Sequence, residues 1–305
     1  MDWNSVEEQI ALDDQNKWDR KISGSQLLIS LAGKLRVPAC EDTADVYSLS
    51  ELAIAQLCHK LEIPVRYYRR LPDEMKALVA NFDLKRHNEH SFFLRGKGQW
   101  IRAFLSGDYI AYNNAEIAET AQNLLTDTGL VMKDFVLEET NFFLKIISEE
   151  LVDRGSGLKA GIMIGNSEVG MGSVSVEPFV FRKPCTNDLI VAQEKSFKHA
   201  HIHLTAYELT RRMATAISDG FRVASSILDR FLKARDQPIE DPVEVIRRLA
   251  EERVLSQKFT DESVSSYLAE PERNLFGVIN AFTSAAQGLA PLQRIEMERF
   301  AGTLL

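Results

Sequence analysis

Three histidines stand at every second position of one short segment, His199-x-His201-x-His203. On an extended strand this spacing places all three imidazoles on one face, and imidazole nitrogens are common ligands of zinc and iron. Side chains on one face of a strand follow each other at about 6.5 Å, so a single ion requires a bend in the chain and a further ligand such as Glu168. The pattern therefore favours polar surface or interface histidines over a metal site.

Cys185 is a second candidate for chemistry, in the run Cys185-Thr-Asn187. A cysteine acts as a nucleophile when a base such as His199 takes its proton. Glu168, Cys185 and His199 are thus the catalytic candidates if folding brings them together, and a buried structural thiol is the alternative. The glycine-rich turn at residues 165–172 lacks the Gly-Lys-Ser/Thr ending of a phosphate loop, so an ordinary turn is favoured and no cofactor is expected.

A third group of residues combines cations with aromatic rings between positions 66 and 102. Lysine and arginine neutralise phosphates, and exposed aromatic faces stack on bases at about 1–3 kcal/mol per base. Alternatively, the rings of Phe93 and Trp100 point into the core and the charges only keep the surface soluble. The candidate nucleic-acid-binding residues are Arg66, Tyr67, Tyr68, Arg69, Arg70, Lys85, Arg86, Arg95, Lys97, Trp100 and Arg102.

Charge is unevenly distributed along the 305 residues. The net charge is −8, yet residues 60–102 carry ten Lys/Arg against five Asp/Glu and residues 198–235 carry seven against three. Residues 103–197, by contrast, sum to −7. Positive segments among acidic ones are typical of an anion-binding surface or, more simply, of solvated helix faces.

The cysteines and the N-terminus indicate the compartment. Cys40, Cys58 and Cys185 form no Cys-x-x-Cys pair, which favours free thiols in a reducing environment. The chain begins with acidic residues and contains no stretch of eighteen apolar ones, so neither a secretion signal nor a membrane span is expected. These features predict a cytoplasmic protein.

Hydrophobic periodicity and capping patterns predict the elements that must position these residues. Helices are expected after Ser48-x-x-Glu51, from Pro72 to Asn81 and after Asn113-x-x-Glu116. Thr205-x-x-Glu208 should open a helix reaching residue 235, about 45 Å long. Strands are expected at 91–105, 133–137 and 141–147 and in a hairpin around Asn166.

These elements predict an α+β fold. Its sheet should be largely antiparallel and built from hairpins, with helices packed on one side, one long helix and a helical C-terminal region. We expect a weakly patterned segment at residues 1–47, a core domain at 48–236 and a helical region at 237–305 packed on that core. Trp3, Val6 and Ile10 indicate a short helix within the first segment.

Several ordered motifs carry a family resemblance. They are residues 48–70 and 102–114, Asn166-Ser-Glu-Val-Gly170, Arg182-x-x-Cys-Thr-Asn187 and Asn280-Ala-Phe-Thr283. Together they resemble the phage/plasmid-like domain-of-unknown-function family nine hundred and thirty-two. The resemblance implies carriage by phages, prophages and plasmids, and implies no activity. One departure is Asp188, where the family has glycine.

These observations lead to one main expectation about function. The chain is predicted to be a non-enzymatic, homo-oligomeric protein of a mobile element that binds single-stranded DNA, with an annealing or recombination role suggested by analogy at the level of fold. A metal- or cysteine-dependent enzyme is one alternative, with Glu168, Cys185 and the three histidines as its site. A counter-defence factor that binds a host or phage protein through an acidic surface is another.

Overall fold

The structure is a computed structural model that describes residues 3–38, 44–125, 129–153, 157–182, 187–190 and 197–305. The described helices and strands form two sheets with helices packed on them and one long helix that leads to the C-terminal helices, so the α+β class predicted from the sequence is confirmed.

The first sheet has six strands, and residues 17–38 supply three of them. They are β1 (Lys17–Ser23), β2 (Leu28–Ile29), β3 (Leu35–Pro38), β4 (Ala44–Leu49), β5 (Ser91–Lys97) and β6 (Trp100–Ser106). Their order is β1-β5-β6-β4-β3-β2, antiparallel except for the β4–β6 pair. The predicted hairpin at 91–105 is therefore present, and the expected segment boundary at residue 47 falls inside β4.

Three helices cover one face of this sheet. They are α2 (Glu51–Lys60), α3 (Val65–Arg70) and α4 (Asp73–Arg86). Apolar residues of these helices, such as Leu57 and Leu84, are buried against Phe92 and Phe104 of the central hairpin. The capping pattern in the sequence predicts that Ser48 caps α2, and this prediction is wrong. Ser48 pairs with Trp100 in the sheet. The cap is Ser50, whose side chain accepts from the Ala53 amide.

The second sheet is entirely antiparallel. It is formed by β7 (Leu130–Leu137), β8 (Phe142–Asp153), β9 (Leu158–Asn166), β10 (Val174–Arg182), β11 (Asn187–Ile190) and β12 (Phe197–His199). The order is β11-β10-β9-β8-β7, and β12 pairs with the same edge of β10 as β11 does. This confirms the two predicted strands before residue 150 and the hairpin around Asn166.

Helices lie on both faces of the second sheet. One face packs against α1 (Trp3–Asp14), α5 (Asn114–Leu125) and the first half of α6 (Ala206–Lys233). The other face receives α10 (Pro291–Gly302), whose charged residues reach buried partners: Glu298 lies 2.7 Å from Lys145, and Arg299 donates twice to Glu177.

The long helix α6 joins the second sheet to the C-terminal helices. It has 28 residues, about 42 Å, and begins at the capping box of Thr205 and Glu208 that the sequence predicted. Its second half packs Ile227 and Phe231 against Phe276 and Phe282. The remaining helices are α7 (Pro242–Glu252), α8 (Gln257–Ala269) and α9 (Leu275–Ala285), with 3-10 turns at Gly24–Gln26, Ala234–Asp236 and Ala286–Gly288.

Candidate functional site

The residues predicted to bind nucleic acid separate into a buried group and an exposed group. Tyr68, Arg95 and Arg102 are 3%, 3% and 5% exposed, so the prediction that they contact nucleic acid is wrong for these three. The ring of Tyr68 fills the core under α3, and the two guanidinium groups form ion pairs inside the protein. A phosphate or base would have to displace these contacts.

Arg102 on β6 of the first sheet contacts Glu168 in the turn that follows β9 of the second sheet. Glu168 follows β9, and its side chain is almost wholly buried. Its carboxylate lies 3.3 Å from the Arg102 guanidinium and 2.8 Å from the Lys17 ammonium, and it accepts from the Asn114 amide at 2.9 Å. Three donors, from β1, β6 and the start of α5, thus converge on one carboxylate. We call Glu168, Lys17, Arg102 and the carboxylates that are ion-paired with these two cations the ionic junction.

Arg95 extends the ionic junction along the first sheet. It donates twice to Asp19 on the neighbouring strand, at 2.8 and 3.0 Å, and also to the Glu168 carbonyl at 3.0 Å. Asp19 and Arg95 are direct neighbours in the β1–β5 register, so the sheet itself positions this pair. Such bidentate pairs are strong because the planar guanidinium matches the carboxylate.

Lys17 occupies the centre of the acidic part of the junction. Its ammonium lies 2.6 Å from Asp13, 2.7 Å from Asp14 and 2.8 Å from Glu168. Within the described ranges these three carboxylates are the only group with the spacing of a metal site. The lysine ammonium already provides the positive charge that such a cluster needs.

Burial and nearby charges act in opposite directions on these carboxylates. Burial of Glu168 favours its neutral form, but Lys17, the Asn114 amide and Arg95 offset this effect and hold its pKa below the ordinary value. Asp13 is likewise kept below its ordinary pKa, despite its burial, by Lys17 and Lys97. Burial would lower the pKa of Lys17, and Glu168 with its neighbours raises it instead. The junction is thus built for fully charged groups.

The three histidines are not brought together. His201 is buried, its ring is stacked on Tyr109 at 5.0 Å, and its Nδ1 lies 3.0 Å from the Ile110 carbonyl. Burial lowers its pKa, so it is held neutral. His199 ends β12 and is partly exposed, and His203 is exposed with a positive φ of 64°. In the part of the chain that is described, they form no common ligand group with Glu168.

The described residues give little support to a cysteine-dependent enzyme. Cys185 lies outside the described residues, so its relation to His199 stays a prediction. Cys58 is a free, buried thiol, and burial raises its pKa to about 11. A thiol with that pKa is protonated at neutral pH and does not act as a nucleophile.

The exposed group lies on α3 and at the tip of the central hairpin. Arg66, Tyr67, Arg69 and Arg70 project from the short helix, and Tyr67 is 52% exposed. Arg69 lies 3.0 Å from Glu51, and Glu51 begins α2 directly after the end of β4. The same end of β4 pairs with Trp100, which is 56% exposed. These five residues therefore border one end of the first sheet, and we call them the basic-aromatic surface.

The other predicted cations lie elsewhere. Lys85 and Arg86 end α4, about 20 Å along the helix from its start beside α3, and Arg86 contacts Asp83. Lys97 is bound to Asp13 at 2.9 Å and so belongs to the ionic junction. The eleven residues proposed from sequence thus fall into four places rather than one groove: the basic-aromatic surface, the end of α4, the ionic junction and, for Tyr68, the core.

Sequence reasoning missed most of the ionic junction. The sequence patterns indicate a catalytic or metal-binding role for Glu168, and they give no sign of a role for Asp13, Lys17, Asp19 and Glu139. The sequence gives only an indirect indication of such a site, because an arginine inside a strand requires a carboxylate partner if it is buried. Which carboxylate a buried cation finds depends on contacts between distant positions, 76 apart for Arg95 and Asp19 and 151 apart for Lys17 and Glu168.

Motif segments noted in the sequence converge at this junction. Residues 102–114 contribute Arg102 and Asn114, and residues 166–170 contribute Asn166 and Glu168, with the Asn166 side-chain amide donating to Asn114 at 2.8 Å. The same turn docks on the first sheet through Val169, whose carbonyl accepts from Gln56. Arg182 and Asn280, from two further motifs, also contact each other at 3.0 Å.

No protein-family model matches this chain, and searches of curated proteins and of solved structures give no match either. Among the helices that the structure describes, none combines the length and the apolar character needed to cross a bilayer.

Proposed function

We propose that the chain binds single-stranded nucleic acid through the basic-aromatic surface. The observation that carries this proposal is the composition of α3, where Arg66 and Arg70 are exposed beside the exposed ring of Tyr67. Neither arginine has a carboxylate partner in the described part of the chain, whereas the buried arginines are all ion-paired. Exposed, unneutralised cations are available for phosphates.

The geometry favours single strands over duplexes. Tyr67 and Trp100 offer about half of their side-chain surface to solvent, and a base can stack on such a ring only if it is not already paired and stacked in a duplex. The surface consists of the six-residue helix α3 and a hairpin tip, and neither of these is long enough to serve as a recognition helix. It therefore supports contacts to phosphates and base faces rather than reading of base edges.

The mobile-element setting of this proposal rests on the family resemblance. A protein that binds single strands without sequence preference suits replication or recombination of such an element. The enzyme alternative has less support, because the Glu168 carboxylate is saturated by cations and the histidines lie apart. Action through an acidic surface on a partner protein stays a separate hypothesis.

The test is fluorescence anisotropy of labelled single-stranded and duplex DNA at low and near-physiological salt. The wild type should prefer single strands, with an affinity that falls as salt rises, because phosphate contacts release counterions. The double variant R66E/R70E should lose at least tenfold in affinity and show a shallower salt dependence. Y67A/W100A should lose affinity by about 1–3 kcal/mol per stacked base with the salt dependence retained.

R247E/R248E is the matched control. Both arginines are exposed on α7, so this variant changes the net charge equally but at another site. If it weakens binding as much as R66E/R70E, net charge and not the basic-aromatic surface governs the interaction. No binding by the wild type at low salt would reject the proposed function.

A further inference from the structure

Helix α4 presents an apolar stripe to solvent. Met75, Leu78 and Phe82 recur at helical spacing, and they are 43%, 61% and 65% exposed. Leu28 and Leu31, in and after the edge strand β2, are exposed beside the helix, since Asn81 of α4 binds the backbone of Ile29. Contiguous exposed apolar residues of this kind mark an interaction surface.

The stripe ends in positive charge. Lys85 and Arg86 form the last turn of α4, and the Arg86 guanidinium lies 6.0 Å from the centre of the Phe82 ring. Lys85 has no carboxylate partner in the described ranges. A partner for this stripe must therefore offer an apolar recess with an acidic border.

A groove with those properties lies between α1 and α5. Its volume is about 520 Å³, within the range of about 300–1,000 Å³ typical of binding pockets. Ile10, Ala11, Ala115 and Ala118 form its apolar part, and the short alanine side chains leave room for larger ones. Glu7, Asp14 and Glu119 add carboxylates, and Glu7 and Glu119 form no ion pair among the residues that the structure describes.

The topology prevents one molecule from joining its own stripe and groove. Helix α1 leads into β1 at one edge of the first sheet, and α4 packs on β2 at the opposite edge. Six strands at about 4.8 Å separate these edges by roughly 24 Å. The stripe and the groove are thus presented in different places and are available to different neighbours.

We propose that the chain assembles head to tail, with the α4 stripe of one copy in the α1–α5 groove of the next. Leu78 and Phe82 enter the groove beside the alanines, and Lys85 and Arg86 face Glu7 and Glu119. Two different surfaces meet in this contact, so it repeats and produces rings or filaments rather than a closed twofold dimer. A second copy fits better than nucleic acid, whose phosphates the acidic groove repels. This assembly is independent of the proposed nucleic-acid binding.

The test combines two surface variants of the nucleic-acid-free protein. L78D/F82D disrupts the stripe and leaves the groove intact, and E7K/E119K disrupts the groove and leaves the stripe intact. All four positions are exposed, so both variants should retain the wild-type circular dichroism spectrum. Light scattering coupled to size exclusion should show species larger than a dimer for the wild type, growing with concentration. Each variant alone should be a 34.4-kDa monomer.

The mixture of the two variants decides the geometry. One intact stripe and one intact groove remain, so an equimolar mixture should form a 1:1 complex of twice the monomer mass and grow no further. A wild type that stays monomeric overturns the proposal. So does an E7K/E119K variant that still self-associates, which would indicate that stripes pair with each other, or a mixture that remains monomeric.

Discussion

The carboxylate of Glu168 accepts from Lys17, Arg102 and the Asn114 amide, which belong to three different elements, β1, β6 and α5. The two cations are also largely buried, so each depends on this carboxylate for part of its compensation. Removing one member of a buried ion pair costs more than the pair itself contributes, because a charge is left uncompensated.

Replacing Glu168 with glutamine should therefore destabilise the fold strongly. We expect a loss of about 3 kcal/mol in the free energy of unfolding, the lower end for a broken buried pair, because Lys17 and Arg102 keep other carboxylates. Urea denaturation measures this loss. The control is E139Q, since Glu139 is 57% exposed and should cost less than about 1 kcal/mol. Equal losses would show that burial of Glu168 is unimportant.

Lys17 can be tested as the resident cation of the acidic cluster. K17A leaves Asp13, Asp14 and Glu168 facing each other without their shared ammonium, so the variant should be destabilised. Millimolar Ca²⁺ should then raise the melting temperature of K17A, because carboxylate oxygens are the ligands it prefers, and should leave the wild type unchanged. An equal shift in both proteins would mean that the ion binds elsewhere.

Helix α6 shows which features of an element can be predicted from sequence. Its start was predictable because a capping box is local: Thr205 and Glu208 satisfy each other's backbone amides. For α2 the same pattern was misleading, because Ser48 was already engaged in a strand and Ser50 lay two residues further on. Capping patterns therefore fix helix starts only where no neighbouring strand competes for the residue.

The cap of α6 should contribute measurably to stability. T205A removes the hydroxyl that accepts from the Glu208 amide at 3.2 Å and should cost about 0.5–2 kcal/mol. Thermal denaturation followed by circular dichroism measures the change. T215A is the matched control, since Thr215 is exposed inside the same helix and its replacement should change the free energy of unfolding by less than about 0.5 kcal/mol. A control loss as large as that of T205A would contradict the assignment of the cap.

At the scale of the whole molecule, the hairpins and the helical C-terminal region were predictable because both depend on short-range patterns. The junction between the sheets was not, since its pairs join positions 66, 76 and 151 residues apart. Arginines in sequence are usually surface residues, so Arg95 and Arg102 were assigned to a surface. Only the fold reveals the carboxylates that allow them to be buried.

The ionic junction should make the whole protein sensitive to acid. The pKa values of Glu168 and Asp13 in the folded protein lie below their ordinary values of 4.5 and 3.8, so the unfolded chain binds protons more readily. Their stabilisation is complete above those values and is lost as the pH falls through the folded-state pKa. His201, whose pKa burial lowers from 6.5, acts in the same direction at higher pH.

Urea denaturation between pH 8 and pH 3 tests this linkage. The free energy of unfolding of the wild type should begin to fall below about pH 6.5 and fall further below about pH 4.5. E168Q should keep the first decrease and flatten the second. Parallel curves for the two proteins would show that Glu168 does not contribute to acid sensitivity.

The strand order of the first sheet has a consequence for synthesis on the ribosome. Among the described strands, β1 pairs with β5 alone, so residues 17–23 lack this partner until residues 91–97 have been made. At about 5–20 residues per second, this delay lasts roughly 4–15 s. During that time Trp18 and Ile22 lack the strand beside which they are packed in the folded protein, and such exposed apolar surface is what chaperones cover. The β1 edge of the first sheet can therefore form only after the central hairpin has been made, so these early residues dock late.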